Sequence, residues 1–399
     1  MQKLLLSALS IFWTALVWGQ TAPTNFHDLF GLAWDRSVAS RTAQGRQAEA
    51  EAGHVQASSL LAGAPVLGAL HRSDRYSEKV GQREQELSIS VPVWLPGQRM
   101  ARGQLAEAVS GETDAAIRLM QLDLAGDLRE RTWAVASAMA ELDSARYRAD
   151  LAKTLHQDVA RRLKAGELAR TDLLLAEQES LSADGELADA SLRLEQATAR
   201  LKVLTGRALL PPSYEETRGS PSADAHPRLA AAQRALDRAE SQQRYLRESR
   251  RDAPEVSLSY REDRALAGAP REGAVGIAIR FPLASEARNL PRETAAQTEV
   301  LTARGELLQI EYVLKSDIEV AAQALAANER RLELAIQRHQ ALEERMALLK
   351  KSFDFGELSL PEFLRSQTQA LEAKADLARQ QALRGLAIAR YNQALGVLP

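Results

Sequence analysis

The chain has 399 residues, 45% hydrophobic, 5% aromatic and 26% charged, with a formal net charge of -2. Such balanced charge points away from a nucleic-acid partner or a polybasic membrane surface. The absence of cysteine excludes disulfides, thiolate metal sites, Cys nucleophiles and a lipid attached through an N-terminal Cys. Ala and Leu dominate the apolar residues, which predicts long helices packed through small side chains.

The first residues, "MQKLLLSALSIFWTALVWGQ", place a basic Lys3 before an uncharged apolar run from Leu4 to Trp18. Val17 and Gly19 are small enough for cleavage after Gly19, so residues 1–19 are predicted to be a secretory signal peptide. The run is short against the ~20 residues of a transmembrane helix; an uncleaved anchor is the competing reading. No later segment holds 18 consecutive apolar residues. Any entry into a membrane would therefore not be by helices.

The rest of the chain repeats itself. An offset of 190 residues aligns Leu87–Gly206 with Ile277–Gly396 without a gap, and 12 of the 41 positions from Gly166 to Gly206 are identical to their counterparts. Shared Ala and Leu account for some of these. They do not account for Gly166-Glu167-Leu168 against Gly356-Glu357-Leu358, the closing Gly206 and Gly396, or Pro92 and Pro282 at one offset. Residues 20–206 form the predicted first repeat and 225–399 the second. The Pro-rich segment 207–224 links them.

Each repeat reads as a helix, two short strands and two long helices. Strands are predicted at about 63–71, 86–94, 254–261 and 274–283, joined by polar loops over His71–Gln85 and Arg261–Glu272. Leu87, Ile89, Val91 and Val93 alternate with Ser88, Ser90 and Pro92; Val275, Ile277, Ile279 and Phe281 alternate with Gly276, Ala278, Arg280 and Pro282. Period-two patterning means one apolar face. It fits a strand half-buried on a soluble core and, equally, a barrel strand with lipid on one side and a watery lumen on the other. Four strands cannot close a barrel, for which about eight is the minimum, so exposed edges would demand partner subunits.

The long helices carry a heptad. Leu314, Ile318, Ala321, Leu325, Asn328, Leu332, Ala335, His339, Leu342, Met346, Leu349 and Phe353 are spaced 4-3-4-3. The positions 190 residues earlier, from Leu124 and Leu128 to His156, Val159 and Leu163, repeat the pattern with ten of twelve apolar. This is coiled-coil packing. A continuous helix from Arg99 to Leu163 would span about 100 Å, far beyond a globular helix. Gly166 and Gly356 interrupt both helix pairs, as expected where a helix ends in the left-handed conformation and the chain reverses.

Chemistry is sparse. There is no HExxH, no phosphate-cradling glycine loop and no GxSxG, so no catalysis and no cofactor are expected. His156 and His339 occupy equivalent seam positions. Neither has the further ligands of a metal site, and polar notches that set coiled-coil register explain them better. Asp172 and Glu362 each follow their tip glycine by six residues. Either could simply meet the positive end of a helix dipole, or several copies could bring the acids together as a ring narrowing a pore.

The duplicated unit, "GELARTDLL" and "GELSLPEFL" at the tips, and "LTG" and "ALG" closing the halves resemble the TolC family of outer-membrane efflux channels, over nearly the whole mature chain. "LSISVPVWLPGQR" before a long helix is most similar to the CzcC-like branch, which is associated with divalent-cation export. The resemblance implies a mainly α fold with a small β part: a homotrimer whose twelve strands form a transmembrane β-barrel and whose helices form a long coiled-coil helical barrel. It implies an outer-membrane protein extending into the periplasm, with a periplasmic adaptor (membrane fusion) protein, an inner-membrane pump and outer-membrane lipid as partners, and no nucleic acid. The tips Gly166, Glu167, Leu168, Gly356, Glu357 and Leu358 would dock the adaptor. The family's closed gate carries over onto Glu362. A second family acid falls where this chain has Arg365, so a Glu362–Arg365 pairing stands against a double acidic ring, with Asp172 the matching acid of the first repeat. A periplasmic coiled-coil adaptor or scaffold without a channel is the alternative.

Overall fold

The computed structural model describes residues 23–220 and 226–399; the predicted signal peptide lies outside the described residues. Helices α1 (Phe26–Arg36) and α2 (Val38–Ser58) lead to strands β1 (Val66–Ser73) and β2 (Arg83–Pro92). The long pair α3 (Gln98–Lys164) and α4 (Arg170–Thr205) follows. The second half runs α5 (Pro227–Glu248), β3 (Glu255–Arg264), β4 (Glu272–Arg280), α6 (Glu286–Asp354) and α7 (Leu360–Ala394).

The first helix of the first half is two helices. The Ser37 hydroxyl accepts from the Ser40 amide at 3.0 Å, and the Ser37 amide closes on Trp34 O at 3.0 Å. The serine caps a new helix start and breaks the old one.

The strands reach further into the hairpins than the apolar alternation suggested. Arg72 meets Glu84 at 3.2 Å and Glu84 meets Arg261 at 2.8 Å. Oppositely charged cross-strand pairs extend the ladder past the last apolar rung. The turns shrink to residues 74–82 and 265–271. At the other end β4 stops at Arg280, before Pro282, and β2 stops at Pro92, because proline offers no ladder donor.

The four strands form one antiparallel sheet in the order β1-β2-β3-β4. The central β2–β3 pair joins the two halves, with Leu87 opposite Tyr260 and Ile89 opposite Leu258. From the sheet, α3 runs 67 residues to one tip and α6 runs 69 residues to the other, each about 100 Å at 1.5 Å per residue. α4 and α7 return partway.

The heptads hold the wall together. All twelve seam positions of α6 from Leu314 to Phe353 are buried or half-buried, and so are their twelve counterparts in α3. On α4 the seam is alanine: Ala176, Ala183 and Ala190 recur every seven residues and are fully buried, with Ala149 and Ala152 of α3 against Ala183. Such small side chains let helix axes approach toward the ~8 Å end of the usual range.

Candidate functional site

Strand register sorts the sheet into two faces. On one, the rows Val91–Val256–Ile279, Leu67–Ile89–Leu258–Ile277 and Ala69–Leu87–Tyr260–Val275 are wholly apolar apart from the tyrosine hydroxyl. On the other lie Gly68–Ser88–Ser259–Gly276 and, toward the turns, Arg72–Glu84–Asp263–Glu272. Ser90 and Ser257 share a 2.8 Å hydroxyl hydrogen bond on this second face. The apolar side chains are exposed: Leu67, Leu87, Ile89, Val275, Ile277 and Ile279 all face outward from the protomer. Among the described residues nothing covers this face.

The helices leave matching edges. Between the sheet and mid-length, packing runs in the order α2, α3, α5, α6; toward the tips it runs α4, α3, α7, α6. One flank of the protomer is therefore β1, α2 and α4, and the other is β4 and α6. Along α6 and onto its C-cap an apolar ridge lies open beside the seam, with Val313, Val320, Leu334, Leu348 and the capping Phe355 at multiples of seven residues. Leu174 and Leu181 form a similar exposed pair on α4.

Both tips end the same way. Gly166 has φ +81° and Gly356 φ +78°. Gly166 N–H donates to Leu163 O at 3.0 Å and Glu167 N–H to Arg162 O at 2.9 Å; Gly356 and Glu357 donate likewise to Phe353 O and Ser352 O. This is the glycine C-terminal motif that satisfies the last helical carbonyls. Glu167 and Glu357 are exposed, whereas Leu168 and Leu358 turn inward. They pack on a cluster shared by both hairpins, built from Leu155, Val159, Phe353, Leu360, Phe363 and Leu364. Phe353 and Phe363 stack with centroids 4.5 Å apart. Arg162 bridges the hairpins, 3.5 Å from Asp354 and with its guanidinium over the Phe353 ring.

The gate candidates separate. Asp172 accepts from the Ala169 amide at 3.1 Å, so its carboxylate serves the start of α4. Glu362 and Arg365 are exposed, and among the described residues no ion pair joins them. The histidines stay apart as well. His339 Nε2 is 3.6 Å from Glu343 one turn on, and its Nδ1 is buried without a partner. Among the described residues no group of three or more His, Asp or Glu gathers as a metal site.

Three features escaped the sequence. Phe355, beside the second tip glycine, is 83% exposed; an aromatic side chain where the first repeat has Ala165 was the available signal. Arg129 is fully buried at mid-length. It grips Glu216 with two bonds of 2.7 and 2.8 Å, and reaches Gln393 at 2.5 Å and Val397 O at 3.0 Å. It thus ties α3 to the inter-repeat segment, to the last turn of α7 and to the residues after it. Close by, Gly385 of α7 lies against the Trp133 ring, where a Cβ would come within 1.8 Å. Arg129 and Glu216 are 87 residues apart and the other contacts join residues over 250 apart, so no local pattern announces them.

His226 caps α5 at the same level, its Nδ1 accepting from the Arg228 amide at 3.1 Å. Burial, and secondarily the Arg228 charge, push its pKa below the ordinary imidazole value.

No protein-family model matches the chain. Over 215 residues it is 27% identical to the cobalt-zinc-cadmium resistance protein CzcC of Cupriavidus metallidurans, a match spanning 50% of this chain and 50% of that protein. Its fold superposes on the outer membrane protein VceC of Vibrio cholerae with a TM-score of 0.72 at 18% identity, covering 92% of this chain and 95% of that one. It also superposes on the MtrE outer membrane channel of Neisseria gonorrhoeae with a TM-score of 0.72 at 16% identity, covering 94% and 89%. The fold is the one these two outer-membrane proteins share.

Proposed function

We propose that this chain, having the fold of TolC-like outer-membrane channels, is the outer-membrane component of a tripartite efflux system. The observation that carries the reading is the sheet, whose uncovered face is apolar and whose two edges are open. A lone protomer would expose unpaired ladder groups to lipid, which offers them no partner. The two flanks of the protomer differ, so copies must join head to tail, and such contacts close into a ring when the rotation allows. Three copies supply twelve strands. The ridge of α6 would then meet α2 and α4 of the next copy, and the serine-lined face would line the lumen.

A soluble adaptor or scaffold has no use for an exposed apolar sheet face. The helical wall, about 100 Å long, suits a conduit across the periplasm from an inner-membrane pump and its adaptor. The adaptor would dock at Gly166, Glu167, Gly356 and Glu357, with Leu168 and Leu358 fixing the turns from within and Phe355 adding an apolar anchor. The name of the CzcC relative supports divalent metal cations as cargo. Glu362 is the best candidate for the closed mouth: it is exposed, no ion pair engages it among the described residues, and threefold repetition would gather it into an acidic ring. Arg365, three residues on, would temper that ring. Asp172, spent on its helix start, is less available.

Single-channel recording tests both parts. The protein in planar bilayers should conduct, and Glu362→Ala should raise conductance and weaken block by divalent cations. Absence of any conductance would refute the channel. Unchanged conductance and block in the variant would refute only the gate.

A further inference from the structure

The apolar face of the sheet is too short for the layer it would cross. Its rows, counted from Val93 and Phe281 up to Leu87 and Val275, cover about 20 Å along the strands at ~3.3 Å per residue, and about 15 Å along the membrane normal once barrel strands tilt by ~40°. An outer-membrane barrel presents an apolar band of ~25 Å. Upward the band is interrupted: above the row of Tyr260 come Gln85, Glu262 and His71, and the exposed Tyr76, Val80 and Leu266 lie beyond that break, in the turns. Downward it continues. Leu60, Leu283 and Leu290, in the connections between strands and helices and in the first turn of α6, are all exposed. Trp94 and Phe281 lie at the base of the strands, where interfacial aromatic residues belong.

Extending the band downward brings a set of guanidinium groups to headgroup depth. Three arginines of this zone are tied into the fold: Arg250 to Glu293 at 2.7 Å, Arg288 to Asp252 at 2.5 Å and Arg280 to Glu255 at 2.9 Å. Three others are exposed and, among the described residues, close no ion pair: Arg99 at the start of α3, Arg251 in the α5–β3 connection and Arg292 near the start of α6, which feels the Asp252 carboxylate without pairing with it. Arg99 spends one N–H on Ser58 O at 2.8 Å, which holds its side chain in place and leaves further donors free.

Resting on the channel reading above, we propose that Arg99, Arg251 and Arg292 form a collar that binds the phosphate groups of anionic phospholipids in the periplasmic leaflet. Guanidinium and phosphate pair by two parallel charge-assisted hydrogen bonds, and the apolar side chains just above would take the acyl chains.

The test uses the full chain in detergent, exchanged with an equimolar mixture of phosphatidylglycerol and phosphatidylcholine and then stripped of free lipid. Retained lipid is counted by mass spectrometry. Wild type should retain severalfold more phosphatidylglycerol, less so at 1 M salt, where exposed charges are screened. Arg99→Gln, Arg251→Gln and Arg292→Gln together should bring the ratio to about one. The variant should still conduct in pure phosphatidylcholine bilayers, which shows that it folds; if the triple variant does not, the single variants carry the comparison. Equal retention by wild type, or an unchanged ratio in conducting variants, would overturn the collar. Competition by inorganic phosphate as effective as that by phosphatidylglycerol would also overturn it, since the site would then read a bare anion. A wild type that fails to conduct breaks the channel reading instead, and its lipid ratio still tests the collar.

Discussion

The tips and the mid-length junction both rely on glycine, for opposite reasons. At the tips, Gly166 and Gly356 have positive φ, and a Cβ would meet nothing within 4 Å. At the junction, Gly396 also has positive φ (+75°), but a Cβ there would come within 2.6 Å of His226 and 2.7 Å of Pro227. Gly385 sits in an ordinary helix yet has Trp133 against it. One glycine can be a matter of backbone conformation, another of close approach, and a third of both. The duplication matches Gly166 with Gly356 and Gly206 with Gly396, whereas the counterpart of Gly385 in the first repeat is Glu195.

The largest expected effect is at the junction. Arg129→Ala would leave the half-buried Glu216 without its partner; removing one partner of a buried pair costs about 3–5 kcal/mol. Chemical unfolding in detergent should show a loss of that order and reduced assembled protein. A loss under about 1 kcal/mol, the size of an exposed ion pair, would show that the junction does not depend on this network.

Gly385→Ala comes next. A helix-interior glycine usually gains about 0.5–1 kcal/mol on becoming alanine. Here overpacking against Trp133 should reverse the sign, costing about 1–3 kcal/mol. Pairing it with Trp133→Leu should recover part of the loss. Additive effects in the double variant would deny the contact.

Valine at the glycine turns sharpens the comparison. Gly166→Val and Gly356→Val meet only the left-handed penalty of about 1–2 kcal/mol, so folding and assembly should persist while crosslinking to the adaptor proposed to dock there falls. Gly396→Val adds a clash to that penalty and should lower the unfolding midpoint further than either tip variant. Equal midpoints for all three would erase the distinction between tip and junction.

The smallest effect is protonation of His226. Its folded pKa lies below the unfolded value of about 6.5. Above that value both states are neutral and stability is unaffected. As pH falls below it, the unfolded chain takes up a proton before the folded one does, so stability drops toward the folded pKa. Wild type should lose more stability than His226→Asn between pH 7.5 and 5.5. Parallel melting curves for the two would remove His226 from the pH response.

Much of this molecule is local, and the local part was legible. A heptad states which side of a helix is buried, an alternation states which side of a strand is apolar, and a glycine after a long helix marks the reversal. Hence the seams from Leu314 and Leu124, the apolar rows through Ile89 and Ile277, and the turns at Gly166 and Gly356 follow from residues a few places apart. The strand ends were misplaced because charge pairs such as Arg72–Glu84 extend a ladder that hydrophobicity alone would end. What only the tertiary structure decided involves distance along the chain: that Arg129 meets Glu216 and Val397, that Gly385 makes room for Trp133, that Leu168 turns inward while Phe355 stays out, and that α6 and β4 are left as an open flank. Periodicity names the buried face of an element but not its partner. The partner is set by packing among elements hundreds of residues apart, where one side chain of the wrong volume or charge is enough to refuse the contact.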